Sequence, residues 1–304
     1  MQPSLRLSIL VSTLRAASWR DLAGWGLAAL FVISIVKTLV PDAAKPFLRS
    51  AGLGLPLLLL MAKDLAHAPD AWRRLRGAQA ARAPWHVHVA ALLPPELVGI
   101  LRLDRLLWLG CWRRLRRQPA PRTLPHGIGL DYLERGAYGT ATAVVFVSLL
   151  LELPVHVLLL NLFIKDPDQL VLLHALGAAA VLYTLAWVLG DRWHIGAGRH
   201  VMTDDALHLR VGVRVDGVLP LAAIARLEMV DAPLPAWRRR HGVTRRGMLL
   251  VTPFDQPNCV LVLDGDAQVD ILHWQMKKRL PRYVFLYLDR PELLATRLRQ
   301  RMTA

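Results

Sequence analysis

The segment "AYGTATAVVFVSLLLELPVHVLLLNLFI", residues 137–164, holds one formally charged side chain, Glu152, in a run of apolar and small residues. At 1.5 Å per residue, a helix of this length exceeds the roughly 30 Å hydrocarbon layer of a bilayer. It is therefore read as a membrane span. Three further apolar blocks accompany it: residues 22–40, "LAGWGLAALFVISIVKTLV", residues 51–62, "AGLGLPLLLLMA", and residues 170–189. The 51–62 block covers only about 18 Å as a helix. Its flanks Phe47, Arg49 and Lys63 extend it by snorkelling.

Composition agrees with a chain partly in a bilayer. Of the 304 residues 54% are hydrophobic, although the formal net charge is +15. Mean hydropathy is +0.33 and the pI about 10.9. That balance is unusual for a soluble nucleic-acid binder, and no recognised nucleic-acid motif accompanies the charge, so nucleic acid is not an expected partner. The loop 63–135 and the region from residue 191 onward are both arginine-rich, and the positive-inside rule assigns both to the cytoplasm. Four spans satisfy that assignment; three would separate the two regions. The outer loops are then "PDAAKPFLR" and "KDPDQ", and Trp19, Trp25, Trp187 and Trp193 fall at membrane boundaries. Ser18, with Asp21 three residues on, reads as the N-cap of the first span. That span is too long, and its charged leader too extended, for a signal peptide. The expected architecture is an integral membrane protein with four helical spans and a C-terminal α+β domain. Its parts are a two-span hairpin in residues 1–63, a basic cytoplasmic loop in 64–135, a second hairpin in 136–190 and a cytoplasmic domain in 191–304. The Ala/Leu/Arg-heavy usage points to a high-GC bacterium, hence to the inner membrane with both termini cytoplasmic.

The loop contains "WLGCWRRLRRQ", residues 108–118. From Pro95 onward Leu97, Ile100, Leu101, Leu107, Trp108, Cys111, Trp112 and Leu115 fall on one face at 100° per residue, while Arg102, Arg105, Arg113, Arg116 and Arg117 fall largely on the other. Asp104 is the one charge on the apolar face. Such a helix suits the plane of an anionic membrane, with Arg113, Arg114, Arg116 and Arg117 facing lipid phosphates. A second reading stays open, in which the arginines only obey the positive-inside rule and the apolar face packs on the protein's own helices. "RQPAPRTLPHG", residues 117–127, is a Pro-rich linker. Cys111 and Cys259 are the only cysteines, so no disulfide framework or cysteine metal site is expected.

After the fourth block the period changes to two. In "LHLRVGVRV", residues 207–215, Leu207, Leu209, Val211, Val213 and Val215 alternate with polar or small residues, as in a half-buried strand. Further strands are expected over residues 224–230, 248–254, 259–264 and 283–289. A closing helix starts at Pro291. "HVMTDDALHLRVGVRVDGVLPLAAIARLE", residues 200–228, resembles the bacterial pleckstrin-homology-like domains, and "DRPELLATRLRQR", residues 289–301, resembles the helix that closes them. The resemblance implies an antiparallel PH-like sheet closed by one helix, serving in binding or scaffolding and bringing no catalytic residues. The chain departs from it in residues 237–246 and in 264–282, which read as an inserted helix.

"AWRRRHGVTRRG", residues 236–247, reads as a loop offering Arg238, Arg239, Arg240, Arg245 and Arg246 to anionic headgroups; equally, it reads as a solvated basic loop. Within the third block Glu152 and His156 lie four apart on one helix face with Pro154 between them. His174 in the fourth block meets them if the two helices form a tight hairpin. Ionisable residues at membrane depth default to function, as a divalent-metal site or proton relay, against a plain interhelical hydrogen bond from protonated Glu152. His86 and His88 share a face only if "WHVHV" is a strand. No Walker loop, dinucleotide fingerprint, nucleophile elbow or zincin motif is present, so no catalytic residue, metal or cofactor is assigned. The expected function is membrane-localised binding or scaffolding, with anionic lipid or a protein as partner. The alternative is a small transporter or integral-membrane enzyme centred on Glu152, His156 and His174.

Overall fold

The computed structural model describes residues 19–41, 45–120, 124–252, 254–265 and 268–302. Ser18, part of the outer loop "PDAAKPFLR" and part of the linker 117–127 lie outside the described residues. The chain divides into two units, one ending at Val98 and one beginning at Gly99.

In the first unit α1 (Trp19–Leu39) packs along α2 (Lys45–Ala80). The helix α2 does not stop with the apolar block 51–62; it continues through Lys63, Asp64 and Arg73 to Ala80. Lys63, expected to snorkel, is buried. Arg74 donates to the carbonyls of Ala91 and Leu93, at 3.2 and 3.3 Å, and so ties α2 to α3 (Trp85–Leu92). Because α3 is a helix and not a strand, His86 and His88 leave it on different faces and form no shared site.

The second unit takes in most of α4 (Pro95–Leu115), then strand β1 (Ile128–Asp131), then two packed helices, α5 (Tyr138–Phe163) and α6 (Pro167–Ile195). Asp166 caps α6 by accepting from the Asp168 N–H at 3.0 Å, with Pro167 at the first helical position. Among the described residues, α5 and α6 are the two helices long and apolar enough to cross a membrane. Four had been expected. The apolar part of α1, Gly24–Lys37, is shorter, and the 51–62 block merges into a helix whose next turns carry Lys63, Asp64 and Asp70.

The sheet domain follows: β2 (Arg199–Met202), β3 (Ala206–Val211), β4 (Val215–Pro220), β5 (Ile224–Met229), α7 (Leu234–Arg240), β6 (Met248–Leu250), β7 (Cys259–Leu263), β8 (Asp270–His273), β9 (Met276–Arg279), β10 (Tyr283–Leu286) and α8 (Pro291–Met302). They make two sheets, in the orders β1-β2-β3-β4-β8-β9 and β5-β7-β10-β6. Every pairing is antiparallel except β10 with β6. The single strand expected over residues 207–215 is broken by a turn at 212–214, with Gly212 at φ 52°, so that Val211 of β3 pairs with Val215 of β4. Leu207 and Leu209 of β3 and Val215 of β4 enter the core, where they join Leu261, Val284 and Leu286 of the other sheet and Leu294 of α8. The sheet also recruits β1 from ahead of the helix pair, with Ile128 opposite Met202 and Asp131 opposite Arg199. The helix pair is thus an insertion between two neighbouring strands.

Two further expectations are corrected. The described residues of 264–282 form no inserted helix: β8 and β9 pair as a hairpin with Asp270 opposite Arg279 and His273 opposite Met276. Its turn puts Trp274 at φ 53° and Gln275 at φ 61°, a conformation favouring glycine or asparagine. Tertiary bonds hold it: Trp274 N–H donates to the Arg214 carbonyl at 2.6 Å, and Gln275 Nε2 to the Val213 carbonyl at 2.5 Å. Residues 236–247 are not an open loop. The helix α7 lays Trp237 on the outer face of the second sheet, edge-on to Phe285 at 5.1 Å and stacked on His241 at 3.8 Å. Val260, Phe285 and Val243 complete this second core, so β7 is buried on both faces.

His200 on β2 is fully buried. Its Nδ1 accepts from the Arg210 N–H at 3.0 Å while Nε2 has no partner among the described residues. Burial pushes its pKa down to about 3. The unfolded imidazole takes a proton near pH 6.5 and the folded one does not, so stability falls as pH drops from about 6.5 towards 3. The expected slope from this one group is about 1.4 kcal/mol per pH unit. In His200→Asn, whose amide oxygen accepts in place of Nδ1, urea titrations between pH 6 and pH 4 should lose that share of the slope.

Candidate functional site

The ends of the helix pair are bound to the sheet domain by carboxylates. Asp289 accepts from the N–H groups of Glu134 and Arg135, both at 2.9 Å, and Asp255 from the N–H of Ala137. The first two bonds satisfy N–H groups of the loop ahead of α5, and the third satisfies the N-cap donor that no helical turn can pair. Burial pushes the Asp255 carboxyl above the usual carboxylate range. At the other end, Asp191 accepts from the Tyr138 hydroxyl at 2.9 Å and from Arg214 Nη2 at 2.5 Å. The start of α5, the end of α6 and the β3–β4 turn therefore meet at one ion pair. The Arg214 guanidinium also lies over the Phe254 and Trp274 rings, at 4.7 and 5.8 Å. Asp191 Oδ1 and Arg214 Nη1 are buried without a partner among the described residues. A cavity of about 290 Å³ opens beside them, with Leu103, Leu107, Val145 and Val188 among its walls.

The α4 arginines stand next to this root. The helix buries Gly99, Leu103, Leu107, Gly110 and Cys111, and leaves Trp108, Trp112 and Leu115 exposed at 44%, 53% and 65%. The expected apolar face is thus split between two surfaces. One stripe packs on the protein, where a Cβ on Gly190 of α6 would stand 1.9 Å from the Leu107 carbonyl oxygen. The other stays uncovered among the described residues. Asp104, the charge on the apolar face, accepts from the Tyr183 hydroxyl at 2.6 Å and Trp187 Nε1 at 2.7 Å. Arg113 lies over the Trp193 ring at 5.2 Å and Arg116 over Trp112 at 4.4 Å. Arg114 and Arg117 line an open depression of about 430 Å³ together with Arg192 of α6. Trp193 Nε1 donates to the Gln118 carbonyl at 3.0 Å and holds its wall.

No protein-family model, curated protein or solved structure matches the chain. What the chain does must therefore be argued from its own side chains.

The second arginine group is arranged differently from the first. Arg240 pairs with Asp231 at 3.0 Å and Arg238 donates to the Val243 carbonyl at 3.2 Å. Arg239, Arg245 and Arg246 are exposed, the last two in a 3-10 turn capped by Thr244. Of Glu152, His156 and His174, the structure brings two together: the His156 and His174 rings lie 6.1 Å apart. His156 fits against Gly177, with Nε2 3.3 Å from the Leu173 carbonyl oxygen. His174 faces Asn161 at 3.5 Å. Glu152 is exposed on α5, and among the described residues no three His, Cys, Asp or Glu side chains gather as metal ligands.

Sequence reading missed Tyr138, Asp191, Arg192 and Arg214. One signal was present. An acid near the C-terminal end of a helix opposes the helix dipole and needs a cation from elsewhere, and Asp191 stands just ahead of the last turn of α6.

Proposed function

We propose that the protein is a multi-pass binding and scaffolding protein of the bacterial inner membrane, with a PH-like domain held at the cytoplasmic surface. In this reading α5 and α6 span the bilayer, the apolar parts of α1 and α2 supply two further spans, and both termini are cytoplasmic. The observation that carries it is the root of the helix pair. The pair leaves the sheet between neighbouring strands β1 and β2, and Asp289, Asp255 and the Asp191–Arg214 pair tie both ends to the sheet domain. A domain so joined sits directly against the headgroups, without a linker. Support for anionic lipid as partner comes from α4, whose exposed Trp108, Trp112 and Leu115 run beside Arg113, Arg114, Arg116 and Arg117. The α7 arginines and Arg245 and Arg246 offer a surface to a protein partner or to the same lipids.

The test uses the full chain, because a fragment from residue 191 lacks β1. In neutral detergent, native mass spectrometry counts bound phosphatidylglycerol against phosphatidylcholine. Phosphatidylglycerol should bind more tightly. The joint Arg113, Arg114, Arg116 and Arg117→Ala variant should lose on the order of 100- to 1,000-fold of that affinity, at about 1 kcal/mol per basic residue. Equal binding of both lipids by the unaltered chain would refute the lipid reading and leave the protein-partner one.

A further inference from the structure

Beside the arginine depression lies a second cavity, of about 340 Å³, which runs up the helix pair along Tyr138, Gly139, Thr142, Phe146, Val188 and Leu189. Its walls share Arg114 and Arg192 with the depression. One end of a continuous trough is thus apolar and the other holds Arg114, Arg117 and Arg192. None of these three guanidinium groups forms an ion pair among the described residues; Arg192 donates to the Gly196 carbonyl at 3.0 Å, which leaves most of its N–H fork unused. Three arginines lining one depression that has no carboxylate among its lining residues call for an anion, and guanidinium forks match phosphate oxygens in bidentate geometry. Basic pockets between helices on the cytoplasmic side suit phospholipid heads. The apolar arm decides between a free phosphate and a lipid, since a free anion has no use for a trough of aliphatic and aromatic side chains.

We infer that this trough is a specific site for one anionic glycerophospholipid, its phosphate held by Arg114, Arg117 and Arg192 and one acyl chain lying along Thr142, Phe146, Val188 and Leu189. The inference rests on the hairpin being membrane-embedded, as proposed above, but goes beyond a diffuse basic surface to one lipid with a fixed place. Gly139 gives it a clean probe. A Cβ there meets nothing within 4 Å and Gly139 lines the cavity, so a side chain can be added at the trough wall without a clash at its Cβ.

The full chain is titrated with phosphatidylglycerol in neutral detergent by native mass spectrometry. The expected result is one lipid held at least about tenfold more tightly than any that follow. Gly139→Phe and the double variant Arg114→Gln, Arg192→Gln should each abolish that preference, with unchanged thermal midpoints showing that both are folded. Arg113→Ala with Arg116→Ala removes the arginines stacked on tryptophan, outside the trough. It should reduce the weakly held lipids and spare the tight one; if the weak lipids persist, the surface reading fails while the site stands. In the unaltered chain, phosphatidylglycerol carrying a diazirine on its acyl chain should label residues 139–146 and 188–189. Labelling confined to other faces of the helices, a Gly139→Phe protein that keeps its tight lipid, or inorganic phosphate competing as well as the lipid would each overturn the site. Loss of weak binding alone, with no tight lipid at any stage, would sink the site and leave the surface reading intact.

Discussion

Asp191→Ala is expected to lower the thermal unfolding midpoint of the full chain in detergent by on the order of 10 °C. The side chain is nine-tenths buried and its partner Arg214 nearly so, at 9% and 13% exposure. Removing the carboxylate leaves a guanidinium out of water without a counter-charge, which typically costs about 3–5 kcal/mol. It also strips the Tyr138 hydroxyl of its acceptor, so one substitution loosens the start of α5, the end of α6 and the β3–β4 turn together. The double change Asp191→Leu with Arg214→Met is the informative control. Replacing a whole buried pair by apolar groups of similar volume is often neutral, so the double variant should recover most of the midpoint. A single Asp191→Ala variant that melts like the unaltered chain would mean that water reaches the pair and that the helix roots are not fastened there.

Trp237→Ala is the second large effect. The indole is 1% exposed and fills the space between α7 and the outer face of the second sheet against Val260, Val243 and Phe285. Truncating a buried tryptophan costs about 3–5 kcal/mol through lost burial and the cavity left behind. The damage should be local first. With its anchor gone, α7 detaches, and trypsin should cut at Arg238, Arg239 and Arg240 far faster than in the unaltered protein, while the inter-sheet core around Leu207 and Leu261 stays protected. Equal cleavage rates would show that α7 is held by something other than Trp237.

Much of the chain could be read from periodicity. Residues 137–164 and 170–189 announce long apolar helices by composition, because that pattern reflects burial along one element. The alternation over 207–215 announces strand structure too, but it runs on across the turn at 212–214 and so merges the end of β3 with the start of β4. The hairpin β8–β9 escaped because "MKKR" is an exposed edge strand with no apolar alternation and its turn has no glycine. The helix at 234–240 escaped because a run of arginines reads as solvated surface; only the partner of Trp237, supplied by β7 and β10, turns that run into a lid over a core.

The sequence by itself determined the order of the parts: apolar helices, a basic amphipathic helix, a second apolar pair and a C-terminal sheet domain that ends in a helix. It also determined which residues carry charge on α4, since 3.6-residue periodicity separates Arg102, Arg105 and Arg113 from Leu107 and Cys111. Only the tertiary structure decided what each charge meets. Whether Arg113 stacks on Trp193, whether Arg114 and Arg117 converge with Arg192, and whether Asp191 finds Arg214 depend on contacts between residues as many as 80 positions apart (113 to 193). Local pattern carries no information about such pairings. They follow from the insertion of the helix pair between β1 and β2, which brings the two ends of that insertion, and the basic helix packed beside them, to one point at the edge of the sheet.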